Sequence, residues 1–180
     1  MKKSFIILLL LTQCIIFAQN KKTYSTKNIY ESCCWSESDD GDSYYVVDED
    51  IMGDHIYLCI NTANGRLGSH NCTNVIKEEL KKLKNNPFLK INNQVIQLEE
   101  IDEIYSCIPM GLWSKKQNNN TYIAIELYTM CYSKYCHDYY YIFVYMEKGV
   151  VMNSKIIRSE NTRIDSDTKI KHYMRNGLKY

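Results

Sequence analysis

The chain has 180 residues with 22 Lys+Arg against 21 Asp+Glu, eight cysteines and sixteen tyrosines. A balance this close to neutral supplies no general electrostatic pull toward nucleic acid or acidic membranes, and no cofactor is implied. Composition and length fit one domain of ordinary globular size.

Residues 1–18 have the order of a cleavable export signal: Lys2 and Lys3, an apolar run from Phe5 to Phe17, then Ala18 before the polar Gln19-Asn20-Lys21-Lys22. As a helix the apolar run spans roughly 20 Å, short of the roughly 30 Å of a bilayer core, so the reading is a signal rather than an anchor and the mature chain has no stable membrane span. Cleavage near Ala18 predicts an exported protein, periplasmic or extracellular. Cys14 offers lipidation as an alternative, although Leu11-Thr12-Gln13 lacks the small residues such processing favours. The remaining seven cysteines (33, 34, 59, 72, 107, 131 and 136) are an odd number, so pairing in an oxidising compartment leaves at least one over.

Residues 19–43 are polar and poor in aliphatics, and read as a flexible lead-in to a single α+β domain over 44–180. Residues 31–54 carry nine acids and no Lys or Arg, whereas 148–180 carry eight bases against three acids. The two ends could attract each other; two solvated surfaces are the simpler expectation. Within 54–60, Asp-His-Ile-Tyr-Leu-Cys-Ile is short and β-prone after Gly53, which predicts a strand followed by a turn-rich loop. Ile76, Leu80 and Leu83 then recur at helical spacing among Lys and Glu, between a capping Thr73 or Asn74 and Pro87. Leu98, Ile101, Ile104 and Tyr105 predict a second, shorter helix, and Pro109 with Gly111 a break.

From Tyr122 to Ile157 the chain alternates. With Ser133-Lys134 as a two-residue loop, Leu127 faces Tyr140, Ile125 faces Ile142 and Ile123 faces Val144, and one face becomes aliphatic. The other carries Tyr122, Ala124, Glu126, Tyr128, Tyr139, Tyr141, Phe143 and Tyr145. The same register sets Cys131 opposite Cys136 at a close-approach position and predicts a disulfide there. A three-residue loop, Glu147-Lys148-Gly149, leads into a further strand with Met152, Ser154 and Ile156 on the aliphatic side. The expected fold is α+β: an antiparallel meander near the C-terminus with one or two helices packed on its aliphatic face.

Motifs for chemistry are absent. The acids from Asp39 to Asp50 lack the spacing of a calcium loop, and the histidines lack metal-ligand spacing. His70 and Cys72 are two apart, but adjacency supplies neither a base in reach nor an orienting third group. Asn71-Cys72-Thr73 and Asn119-Asn120-Thr121 match the glycosylation pattern. Eight tyrosines fall between Tyr122 and Tyr145, and Tyr joins a large, low-entropy ring to a hydroxyl, as recognition surfaces do. The expectation is an exported binding module meeting a protein partner, in an inhibitor, immunity-type or envelope accessory role, through Tyr122, Tyr128, Tyr139, Tyr141 and Tyr145. A homodimer satisfies the same chemistry. The alternative is a small exported hydrolase whose polar residues converge only in the fold.

Overall fold

The computed structural model describes residues 23–37, 43–61, 70–71, 87–98, 107–129, 138–159, 163–164 and 166–175. Its elements, in chain order, are β1 (Thr23–Asn28), β2 (Cys34–Glu37), β3 (Ser43–Ile51), β4 (Asp54–Asn61), β5 (His70–Asn71), β6 (Phe88–Ile91), β7 (Gln94–Gln97), β8 (Cys107–Gln117), β9 (Asn120–Thr129), β10 (Tyr139–Glu147), β11 (Val150–Ser159) and the helix α1 (Ser166–Arg175). They form two sheets, one of five strands in the order β1-β8-β9-β10-β11 and one of six in the order β5-β2-β3-β4-β6-β7. All pairings are antiparallel except β2 with β5.

The α+β expectation is therefore overturned. The aliphatic face of the meander packs against a second sheet rather than against helices, and the one helix among the described residues lies on the opposite face. The helix expected over 73–86 and most of the one expected near 98–105 lie outside the described residues. The main core is built by alternation, with Tyr45, Val47, Ile51, Ile56, Leu58, Ile60, Leu89 and Ile91 of the six-stranded sheet meeting Leu112, Ile123, Ile125, Leu127, Ile142 and Val144 of the five-stranded one. Period-two side chains on both sheets leave each with one aliphatic face, and burying the two against each other removes both from water. Residues 19–43, read as a flexible lead-in, supply β1 and β2, with Ile29 and Cys33 in that core.

The meander itself matches its register. Leu127 pairs with Tyr140, Ile125 with Ile142 and Ile123 with Val144, and a bond from Thr129 N to Asp138 O (2.9 Å) carries the ladder one residue further. Cys131, Cys136 and the Ser133-Lys134 loop lie outside the described residues. The next turn differs: Glu147 pairs with Val150, leaving a two-residue loop at Lys148 (φ 50°) and Gly149 (φ 80°). Both central residues are left-handed, the conformation whose twist suits a two-residue hairpin. The extra residue appears later as a bulge, since Tyr145 pairs with Asn153 and Met146 with Val151, so Met152 is unpaired and exposed rather than on the aliphatic face. Met52-Gly53 makes a matching turn into β4, which starts at the expected Asp54.

Pro109 and Gly111 do not break the chain but sit inside β8, at an irregularity where Met110 is skipped in the pairing with β9. β1 pairs with β8 only from Gly111 onward, so the proline falls where a strand tolerates one, past its neighbour's end and at a bulge.

The sheets are tied at one end by side chains from the short turns. Asp54, buried, receives Asn92 Nδ2 (3.2 Å) and Lys116 Nζ (2.9 Å), linking β4, the β6–β7 turn and β8. Gln94 of β7 donates to Gly149 O (2.6 Å) and accepts from Val151 N (2.8 Å), joining the two sheets along one edge.

Candidate site on the outer face of the five-stranded sheet

Registers across β1, β8, β9, β10 and β11 set the outer face in rows. One row runs Tyr24, Lys115, Tyr122, Tyr145, Asn153. The next runs Thr26, Trp113, Ala124, Phe143, Lys155, and the third Asn28, Gly111, Glu126, Tyr141, Ile157. The last holds Tyr128, Tyr139 and Ser159. The structure thus brings all five sequence-predicted tyrosines to one face, but in three different environments.

The two middle rows are covered. Trp113, Ala124, Tyr141 and Phe143 form a second apolar cluster with Ile164, Ile170 and Met174 of the C-terminal segment, and Tyr173 leans on Phe143 with ring centroids 5.4 Å apart. Gly111 is what lets the indole lie down, since a Cβ there would stand 2.4 Å from Trp113 Cη2. Tyr141 is fully buried and so belongs to a core, unlike the contact face expected for it.

Beneath this segment sits the one buried carboxylate on this face among the described residues. Glu126 Oε2 accepts from Tyr141 Oη (3.0 Å) and Arg163 Nε (3.1 Å), and Arg163 Nη2 lies 2.7 Å from Oε1. Tyr141 Oη in turn accepts from Ile164 N at 2.9 Å. The Glu126 side chain is 1% exposed and that of Arg163 57%, so the guanidinium plugs the carboxylate from the solvent side. Burial, reinforced by the charge of Glu126 and the hydrogen bond to it, pushes the Tyr141 phenol well above its ordinary range. The hydrogen bond to Glu126 raises Arg163.

The end rows remain partly open. Tyr122 and Tyr145 stack with centroids 5.1 Å apart, Lys115 Nζ sits 5.2 Å from the Tyr122 ring centre, and Tyr128 meets Tyr139 at 5.1 Å. All four rings are half-buried. The Tyr145 phenol is raised by residual desolvation and by Glu147 and Tyr122 nearby. Of the cation–π contacts, Lys171 Nζ over Tyr24 at 4.6 Å pins α1 to β1.

Other sequence-predicted groups fall elsewhere. His55 stands on the β3–β4 hairpin with Nε2 3.3 Å from Asp48 and Nδ1 3.2 Å from Asp50, all three exposed. His70 lies in β5, His172 is exposed on α1, and Cys72 and His137 are outside the described residues. Among the described residues, no group of three or more His, Cys, Asp and Glu could hold a metal ion, and no helix is long and apolar enough to cross a membrane. Cys33 and Cys59 are free and buried, and desolvation pushes the Cys33 thiol up to about 12 and Cys59 higher. Sequence reasoning misses the Glu126 to Arg163 pair. A lone acid inside a run of aromatic strand positions is its visible half, and only the fold brings the other half across from residue 163. Comparison with protein-family profiles, with characterised proteins and with solved structures finds no match for this chain.

Proposed function

We propose that the protein is an exported binding module that recognises a protein partner through the outer face of its five-stranded sheet. The observation that carries this reading is the pair of tyrosine couples, Tyr122 with Tyr145 and Tyr128 with Tyr139, left half-exposed on either side of the covered middle rows. Four large rings with few rotatable bonds give contact area at low entropic cost, on a sheet whose register holds them in place. The leader over residues 1–18 supports export.

The test replaces Tyr122 and Tyr145, or Tyr128 and Tyr139, by Ser, leaving buried Tyr141 untouched. A partner captured from the native envelope or medium by the mature chain is purified and titrated against each form. Weakened binding by a variant that melts with the parent supports the reading. Undiminished binding by both variants, or loss that tracks a fall in melting temperature, overturns it.

A further inference from the structure

The two sheets are complete by Ser159, the end of β11, and the C-terminal segment beyond it adds Arg163, Ile164 and α1 to the outer face. The addition is built like a ligand. Ten residues are too few for a helix to hold itself in water, so α1 forms only while docked. Four of the ten are charged, and its described apolar contacts come from buried Ile170 and Met174 and half-buried Tyr173, at the i, i+3, i+4 spacing of an amphipathic segment lying in a groove. The floor beneath, Trp113, Ala124, Tyr141 and Phe143, is apolar but for Glu126. That carboxylate makes the groove selective. If the segment leaves, Glu126 loses its cationic partner, and a buried acid without one is costly, so only a replacement that brings its own cation restores the balance. Charge and shape together define the occupant: an arginine followed seven residues later by an amphipathic helical turn, as in Arg163 and Ile170.

We propose that this groove is a docking site for a basic amphipathic helical segment of a partner protein, and that the chain's own C-terminal segment is its resident, displaceable occupant. This rests on the reading of the outer face as a protein-binding surface and extends it from the open end rows to the covered middle. Departure of the segment would join the two tyrosine couples into one continuous face.

The probe is a fluorescein-labelled peptide with the sequence of residues 160–180, titrated into full-length protein. The full-length variant Ile170→Ser/Met174→Ser keeps the groove and loses the anchors that fill it. It is expected to bind the peptide at least about tenfold more tightly than the parent, and Arg163→Ala in the peptide is expected to cost at least about tenfold. Amide exchange on the unmodified protein is the second measurement, with residues 166–175 opening well before β9 and β10. Absence of peptide binding to a variant whose sheets still unfold cooperatively and whose C-terminal residues 166–175 exchange freely overturns the proposal, as does helix exchange in the unmodified protein as slow as that of the central strands. Neither measurement uses the tyrosine couples, so a failure here leaves their role standing, and peptide binding that persists in the Tyr122/Tyr145 variant isolates the groove from them.

Discussion

Replacing Arg163 by alanine removes two contacts to a carboxylate that is 1% exposed and leaves Tyr141 as the one remaining donor described for it. Hydrogen bonds to charged groups contribute about 1.5–3 kcal/mol, and breaking a buried ion pair by deleting one partner costs about 3–5 kcal/mol. The Arg163 side chain is 57% exposed, and water can follow it into the space it vacates, so the loss falls at or below the bottom of the ion-pair range. The expected loss is about 2–3 kcal/mol, which in a domain of this size lowers the melting temperature by about 5–10 °C. Urea unfolding measures it directly. Arg163→Ala, Glu126→Gln and the double variant close a thermodynamic cycle with an expected coupling of about 1–2 kcal/mol. A loss below about 0.5 kcal/mol, or additive effects in the cycle, would refute the argument that this pair seals the outer face.

Gly111→Ala forces a methyl against the Trp113 ring, held in place by the C-terminal segment, and should cost about 1–3 kcal/mol in urea unfolding, with Trp113→Leu in the same chain recovering part of it. Full recovery of the parent's stability by the alanine variant alone would show that the indole is free to move. The thiols give a pH prediction. Burial raises the folded values of Cys33 and Cys59 above the ordinary thiol value of 9.0, so their contribution is complete below pH 9 and is lost as pH rises, by up to about 1.4 kcal/mol per unit for each thiol. Urea unfolding between pH 8.5 and 10.5 should therefore be flatter in Cys33→Ala/Cys59→Ala than in the parent, and parallel curves would contradict the assignment.

Period decides how much of the fold is legible in the sequence. Along β9 and β10 the residues alternate without interruption over nine pairs, and a slip of one would expose every aliphatic side chain, so a single register survives. β3 is hard to see because its inward Tyr45, Val47 and Ile51 alternate with Asp48 and Asp50, and a run of acids reads as a solvated loop when the alternation is short. With β3 and the short β6 and β7 unread, the expected strand over 54–60 has no partners to build a sheet with, helices are left to cover the aliphatic face, and an α+β fold is expected where the chain builds a sandwich. β8 is hidden by Pro109 and Gly111, turn formers that here mark a bulge within a strand.

The charge pattern shows why the site is legible only by half. The acidic 31–54 stretch does not reach for the basic C-terminus in any contact described. Glu49 takes Lys27 of β1, Asp54 takes Lys116 of β8, and Asp48 and Asp50 flank His55. The C-terminal bases are used within the meander's own sheet instead, Arg158 on Asp138 and Arg163 on Glu126. An excess of acid or base over a window reports only the average, whereas a single carboxylate on an aromatic strand face has a definite requirement. It must keep a water shell or find a cation. Glu126 lies in the third row of that face, between Gly111 and Tyr141, where the aromatic neighbours deny it the water. The segment beyond β11 supplies the cation, and the same segment then lays Ile170 and Met174 over the neighbouring rings. The acid thus explains why the middle of the tyrosine face is closed while its end rows stay only half-buried, and why any competitor for that middle must carry a base.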